Sequence, residues 1–86
     1  VLGHNHCGAV EAAIKHDPDG HIKYITDDIR EAIKEEKDEY IATCLNVKHS
    51  VKVIEDNTDM KLLEEKGLEV IGAVYHLEDG HVEFLE

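Results

Sequence analysis

The sequence predicts an α/β domain with few strands, and three features carry that reading. An apolar strand end, Val1-Leu2, runs straight into Gly3-His4-Asn5-His6-Cys7-Gly8. Isoleucines then recur at helical spacing through the middle of the chain. From residue 68 onward the apolar period falls to two, interrupted by an Asp79-Gly80 turn signal. The expected architecture is a parallel strand end, amphipathic helices and a C-terminal β-hairpin, in one domain over residues 1–86.

Taken in order, Val1-Leu2 reads as the end of a buried strand, turning over residues 3–6. A short helix is predicted over residues 8–15, with Val10 and Ile14 four apart on one face. Asp17-Pro18-Asp19-Gly20 is a loop signal. Ile22, Ile25, Ile29 and Ile33 then step by 3, 4 and 4, one apolar stripe of an amphipathic helix whose other face carries Asp27, Asp28, Arg30, Glu31, Lys34 and Glu35 as a solvated surface. A second long helix is predicted over about residues 37–55, its stripe running Ile41, Cys44, Val47 or Lys48, Val51 and Ile54. Thr58 is the expected N-cap of a further short helix carrying Met60, Leu62 and Leu63, with Gly67 at its end. The alternation over residues 68–77, followed by Val82 and Phe84 beyond the turn, predicts the hairpin.

Composition narrows the function classes. Twenty acidic residues against nine basic ones leave a net charge of −11, and Lys and Arg form no cluster. That balance repels phosphate backbones and anionic membranes, so no nucleic acid and no membrane is expected as a partner. No apolar run approaches the ~18 residues a membrane span needs. The charged composition and the presence of only two cysteines, Cys7 and Cys44, predict reduced thiols and a cytoplasmic setting.

His4-Asn5-His6-Cys7 is the stretch that asks for chemistry. In a strand–turn–helix, His4 ends the strand and Cys7 begins the helix, where free N–H groups and the positive dipole end favour a thiolate. Both side chains then stand at the C-terminal edge of the strand, where open α/β sheets bind ligands. Imidazole nitrogen plus thiolate sulfur is a donor pair that suits zinc. A redox or nucleophilic thiol, and a buried inert cysteine, remain as alternatives on spacing alone. His6 stands at the rim, as a proton carrier, a substitute ligand or a solvated turn residue. The remaining histidines, His16, His21, His49, His76 and His81, need only surface or hydrogen-bonding roles.

In its full context the stretch VLGHNHCGAVEAAI resembles the second zinc-ligand motif of the β-class carbonic anhydrases: an apolar strand, Gly-His-x-x-Cys-Gly, then a small-residue helix. Gly20-His21-Ile22 with the helix after it, Asn46-Val47, and the ending GLEVIGAVYHLEDGHVEFLE are also similar to that family in order and spacing. The resemblance implies a partial β-carbonic-anhydrase-like fold and a Zn2+ cofactor. It also implies His4 and Cys7 as metal ligands and reversible hydration of carbon dioxide to bicarbonate. The family's zinc is held by two cysteines and one histidine, and activates water for attack on carbon dioxide. Gly8 would let the helix start lie close to the metal. A homo-oligomer is implied as well, and an apolar edge strand at Val1-Leu2 is a template for one.

The family's first motif, Cys-x-Asp-x-Arg, supplies the other cysteine and an Asp–Arg pair that controls access to the metal. It is not among these 86 residues. Its nearest lookalike, Cys44-Leu45-Asn46-Val47-Lys48, has Asn for Asp and Lys for Arg and falls in a helical pattern, so Cys44 reads as a core cysteine. The only methionine is Met60, so the sequence does not open on a translation start. The expectation is therefore the C-terminal half of a carbonic anhydrase, truncated or processed, and poorly active alone. The alternative is a non-catalytic zinc-binding or assembly module of the same fold.

Overall fold

The computed structural model describes residues 1–15 and 23–85. The loop signal at Asp17-Pro18-Asp19-Gly20, Ile22, and the Gly20-His21-Ile22 resemblance lie outside the described residues, as do His16 and His21. The elements run β1 (Leu2–His4), α1 (Gly8–Lys15), α2 (Lys23–Ile33), α3 (Glu39–Glu55), α4 (Thr58–Glu65), β2 (Gly72–Tyr75) and β3 (Val82–Leu85). The predicted order of strand, helices and hairpin is the one observed.

The sheet has the order β1-β2-β3. β1 pairs with β2 in parallel, with Leu2 opposite Ala73 and His4 opposite Tyr75. β2 and β3 form the antiparallel hairpin, and Gly80 takes φ 77° in its turn, a left-handed value that glycine reaches without a Cβ penalty. The regular strand begins at Gly72 rather than at residue 68, because its ladder partners begin there, Leu85 opposite Gly72 and Leu2 opposite Ala73.

α3 lies across one face of this sheet. Gly3 and Gly72 turn toward it, since a Cβ on either would run into Val47. Val74, on the same face as Gly72, is fully buried. On its other side α3 meets α1 and α2, where Val10, Ala13, Ile29, Ile33 and Ala42 form a buried cluster. Two packed sides explain why its predicted single stripe is only half right. Val47 is buried as expected, but Ile41 is exposed and Ala42 and Thr43 take the tightest positions. Cys44 is half-buried rather than enclosed. Similarly, Ile29 and Ile33 of α2 are buried while Ile25 remains exposed.

The caps follow local chemistry. Asp38 caps α3 by accepting from the Ile41 N–H. α4 is capped by Asn57, whose side chain accepts from the N–H groups of Asp59 and Met60, so Thr58 is the first helical residue and not the cap. Asn57 wins because its backbone stays extended at φ −71°, ψ 130° while its carbonyl already accepts from Lys61 N. Gly67 ends α4 at φ 109°, with its own N–H and that of Leu68 closing onto Glu64 and Leu63 carbonyls in a Schellman motif.

The other face of the sheet carries no element among the described residues. The register places Leu2, Ala73 and Phe84 in one row there, and Leu2 and Phe84 are 64% and 71% exposed. The expected buried strand at Val1-Leu2 is thus an exposed edge strand. Burial on the α3 side is made at Gly3, where the backbone itself meets the helix.

Candidate metal centre

β1 ends at His4, and the chain turns through Asn5 and His6 into α1. The Cys7 carbonyl accepts from Glu11 N at 3.0 Å, which makes Cys7 the residue at the N-cap position of α1. His4 and Cys7 therefore stand on either side of a two-residue turn at the C-terminal edge of the parallel pair. That placement along the backbone, strand end then helix start, is the one expected from the sequence.

The His4 ring is held by a neighbouring backbone group. His4 Nδ1 lies 2.7 Å from the carbonyl oxygen of Asn5. A carbonyl only accepts, so Nδ1 is the donor in this contact and Nε2 is the nitrogen left without a partner in it. A backbone carbonyl on the far nitrogen is the usual orienting contact of a metal-bound histidine. Cys7 is a free thiol, half-buried against the α1–α2–α3 cluster. One nitrogen and one sulfur fit zinc in kind. Among the described residues, no group of three or more His, Cys, Asp or Glu side chains gathers as a metal would need. Gly8 faces open space, where a Cβ would meet nothing within 4 Å, so the chain itself imposes no close approach there.

The two residues between them are tied to the hairpin. Asn5 is 7% exposed and uses every polar group it has. Its N–H reaches Tyr75 O at 3.2 Å, and its Oδ1 accepts from Leu77 N at 3.0 Å. Its Nδ2 lies 2.7 and 2.8 Å from the two carboxylate oxygens of Glu78. His6 adopts φ 53°, a left-handed value uncommon for a residue with a Cβ. Its Nε2 lies 2.7 Å from Glu78 Oε1 and its Nδ1 3.8 Å from Glu39 Oε2. The other Glu39 oxygen accepts from Cys7 N at 3.2 Å. Hydrogen bonding from Asn5, and then from its own backbone and His6, holds the Glu78 carboxyl down to about 2. The Glu78 bond in turn raises His6, with Glu39 adding to it. His6 is thus hydrogen-bonded to Glu78 through Nε2, with the Glu39 carboxylate within ion-pair distance of Nδ1.

Glu78, Glu39 and Asn5 were not singled out by the sequence. Local spacing holds no trace of a pairing across 73 positions. The one available signal was an Asn inside a ligand motif, a residue whose amide must find partners once buried.

His76 and His81 form a second polar group on the hairpin. His76 and His81 stack with ring centroids 4.2 Å apart. His76 Nε2 lies 3.0 Å from Glu83 Oε1, which also accepts from the Tyr40 hydroxyl, and His81 Nδ1 lies 2.6 Å from Asp79 Oδ1. His49 lines an open groove of about 500 Å³ with Asp28, Glu31, Ser50, Val53 and Ile54, and neither His4 nor Cys7 reaches it. These residues keep the surface and hydrogen-bonding roles expected of them.

Fold and turn together define an α/β protein with His4 at the end of a parallel strand and Cys7 at the head of the helix that follows. A family model described as carbonic anhydrase matches residues 1–82. The chain belongs to the carbonic anhydrase family, in its β-class. No curated protein matches it. Membership brings zinc and the carbon dioxide–bicarbonate pair as the family's cofactor and substrates. No helix among the described residues is long and apolar enough to cross a membrane.

Proposed function

We propose that this chain contributes His4 and Cys7 to the zinc centre of a carbonic anhydrase, which interconverts carbon dioxide and bicarbonate. The observation that carries the reading is the His4 ring, whose Nδ1 proton is fixed on the Asn5 carbonyl beside a free thiol at the head of α1. When bound, zinc supplies Lewis-acid activation of water. The chain's own part is to hold and orient: His4 through Nε2, Cys7 through its sulfur. A reducing, cytoplasmic setting keeps that sulfur available.

Elemental analysis of freshly purified protein, repeated on Cys7→Ala, tests the assignment. Zinc in the parent and its loss from the variant is the expected result, and equal zinc in both removes Cys7 from the site. A second reading, a zinc-binding or assembly module without catalysis, is favoured by the lack, among the described residues, of any group of three His, Cys, Asp or Glu side chains placed for a metal. Carbon dioxide hydration measured beside zinc content separates the two.

The same reading extends to assembly. An edge strand and an apolar sheet face bearing Leu2, Ile71 and Phe84 suit a homo-oligomer. Light scattering at high micromolar concentration tests it, and a monomer there counts against it.

A further inference from the structure

We propose that Glu78, on the β2–β3 turn, is the positioning residue of the His4–Cys7 pair. The inference rests on the zinc reading above and adds to it a residue from the far end of the chain.

The spacing of two ligands is set by the backbone between them, here Asn5 and His6. A two-residue turn on its own samples many conformations, and one of these residues sits at φ 53°, where side chains are disfavoured. Something must hold it there. Glu78 does so by bonding both residues at once: two contacts to the Asn5 amide and one to His6 Nε2. A residue serving only to close the hairpin would need neither. Leu77 N adds a bond from the same turn to Asn5 Oδ1, so the turn grips both ends of the Asn5 side chain. Glu39, at the start of α3, completes the frame by accepting from Cys7 N while facing His6 Nδ1. His4 is thus held at its backbone by β1 and at its ring by the Asn5 carbonyl, Cys7 at its N–H by Glu39, and the link between them by Glu78. Outer contacts of this kind set how well a metal is held.

Glu78→Gln is the informative change because it keeps size and alters one atom. The new NH2 group faces donors, the Asn5 amide or the His6 nitrogen, where the carboxylate had accepted from both. Glu78→Asp keeps the charge and should restore part of the effect. Cobalt(II) is the probe, since a cysteine ligand gives it a thiolate charge-transfer band absent from histidine-only sites. With the wild-type chain showing that band, Glu78→Gln should weaken cobalt binding by about 10–100-fold with Glu78→Asp in between, while far-ultraviolet circular dichroism is unchanged. Hydrogen exchange at the Leu77 and Cys7 amides should quicken in Glu78→Gln, with α3 amides unaffected. Cobalt affinity equal to wild type in Glu78→Gln overturns the proposal, as does unchanged exchange at both amides. A wild-type chain lacking the thiolate band refutes the zinc reading instead, and the amide exchange then decides whether Glu78 clamps the turn.

Discussion

Gly3 of β1 and Val47 of α3 meet so closely that a Cβ on Gly3 would stand 2.6 Å from Val47 Cγ2. Val47 is buried and β-branched, so its methyl cannot swing aside. Gly3→Ala should therefore push α3 off the strand that ends in His4, costing about 1–3 kcal/mol as overpacking does. Urea unfolding measures it, and an unchanged midpoint would show that strand and helix have slack between them. Gly72→Ala, facing Val47 and Val51 at 2.9 and 3.2 Å, should behave the same way without touching the His4 turn.

Beside Gly3, Thr43 is buried with its hydroxyl unbonded among the described residues. A buried hydroxyl without a partner carries its desolvation cost unrelieved. Thr43→Val replaces it with a methyl of the same shape and keeps the branching. The chain should gain about 1 kcal/mol, read as a higher urea midpoint at unchanged slope. A loss of stability would mean that the hydroxyl has a partner after all.

These two sites show where sequence reading stops. The bounds of α1, the hairpin at Gly80, the stop at Gly67 and the place of His4 at a strand end were all legible, because each is written in neighbouring residues: a period, a turn dipeptide, a glycine. The buried face of α3 was not, because a helix packed on both sides has no single stripe to find. Nor was the clamp on the His4–Cys7 turn, whose partners Glu39 and Glu78 come from distant segments and look, in a chain with twenty acidic residues, like ordinary surface charge. The place of His4 and Cys7 on the strand end and helix start was readable; the hydrogen-bonded frame around them was not.

The cap of α4 separates two neighbours that sequence alone could not rank. Asn57→Ala removes the acceptor of the Asp59 and Met60 N–H groups and should cost about 1 kcal/mol. Thr58→Ala lies inside the first turn and should change stability by less than half as much. Thermal unfolding of both variants decides it, and a larger effect at Thr58 would return the cap to that residue.

The pH dependence should be set largely by the hairpin carboxylates. Asn5 and His6 hold Glu78 down to about 2 against an ordinary 4.5, the His81 N–H and ring lower Asp79, and Tyr40 and His76 lower Glu83. A depressed carboxylate adds stability that is whole above its ordinary value and is lost as pH falls through its folded one. Acid destabilisation should therefore set in below about pH 4.5 and, for Glu78, continue to about 2. Tyr40 runs the other way: its bond to Glu83 raises it above 10, so its contribution is complete below that value and fades as pH rises further. His6, raised above 6.5, contributes fully below that value and loses its share as pH climbs past it. Thermal midpoints across pH, for Glu83→Gln and Tyr40→Phe beside the parent, test this. The first should flatten the acid arm and the second the alkaline arm, and added salt should shrink both effects at these exposed sites. Unaltered arms in both variants would rule the hairpin network out as their source.

Activity of these 86 residues on their own turns on the count of donors. Catalytic zinc sites use three protein ligands and one open position, whereas the proposed site has His4 and Cys7 alone, and no three His, Cys, Asp or Glu side chains gather for a metal among the described residues. His6, the histidine between His4 and Cys7 in sequence, has its Nε2 bonded to Glu78 and its Nδ1 facing Glu39. A metal held at two points should bind more weakly and expose extra positions to buffer anions. Nothing in the turn supplies a further group to orient a reacting water, and losses of that outer kind cost about 10–100-fold before the missing ligand is considered. The isolated chain, with zinc added, should thus hydrate carbon dioxide barely above background in a stopped-flow assay with a pH indicator. Cys7→Ala and His4→Ala should remove whatever remains. Robust turnover by the isolated chain would sink the expectation, and it would mean that a neighbouring copy or His6 completes the site.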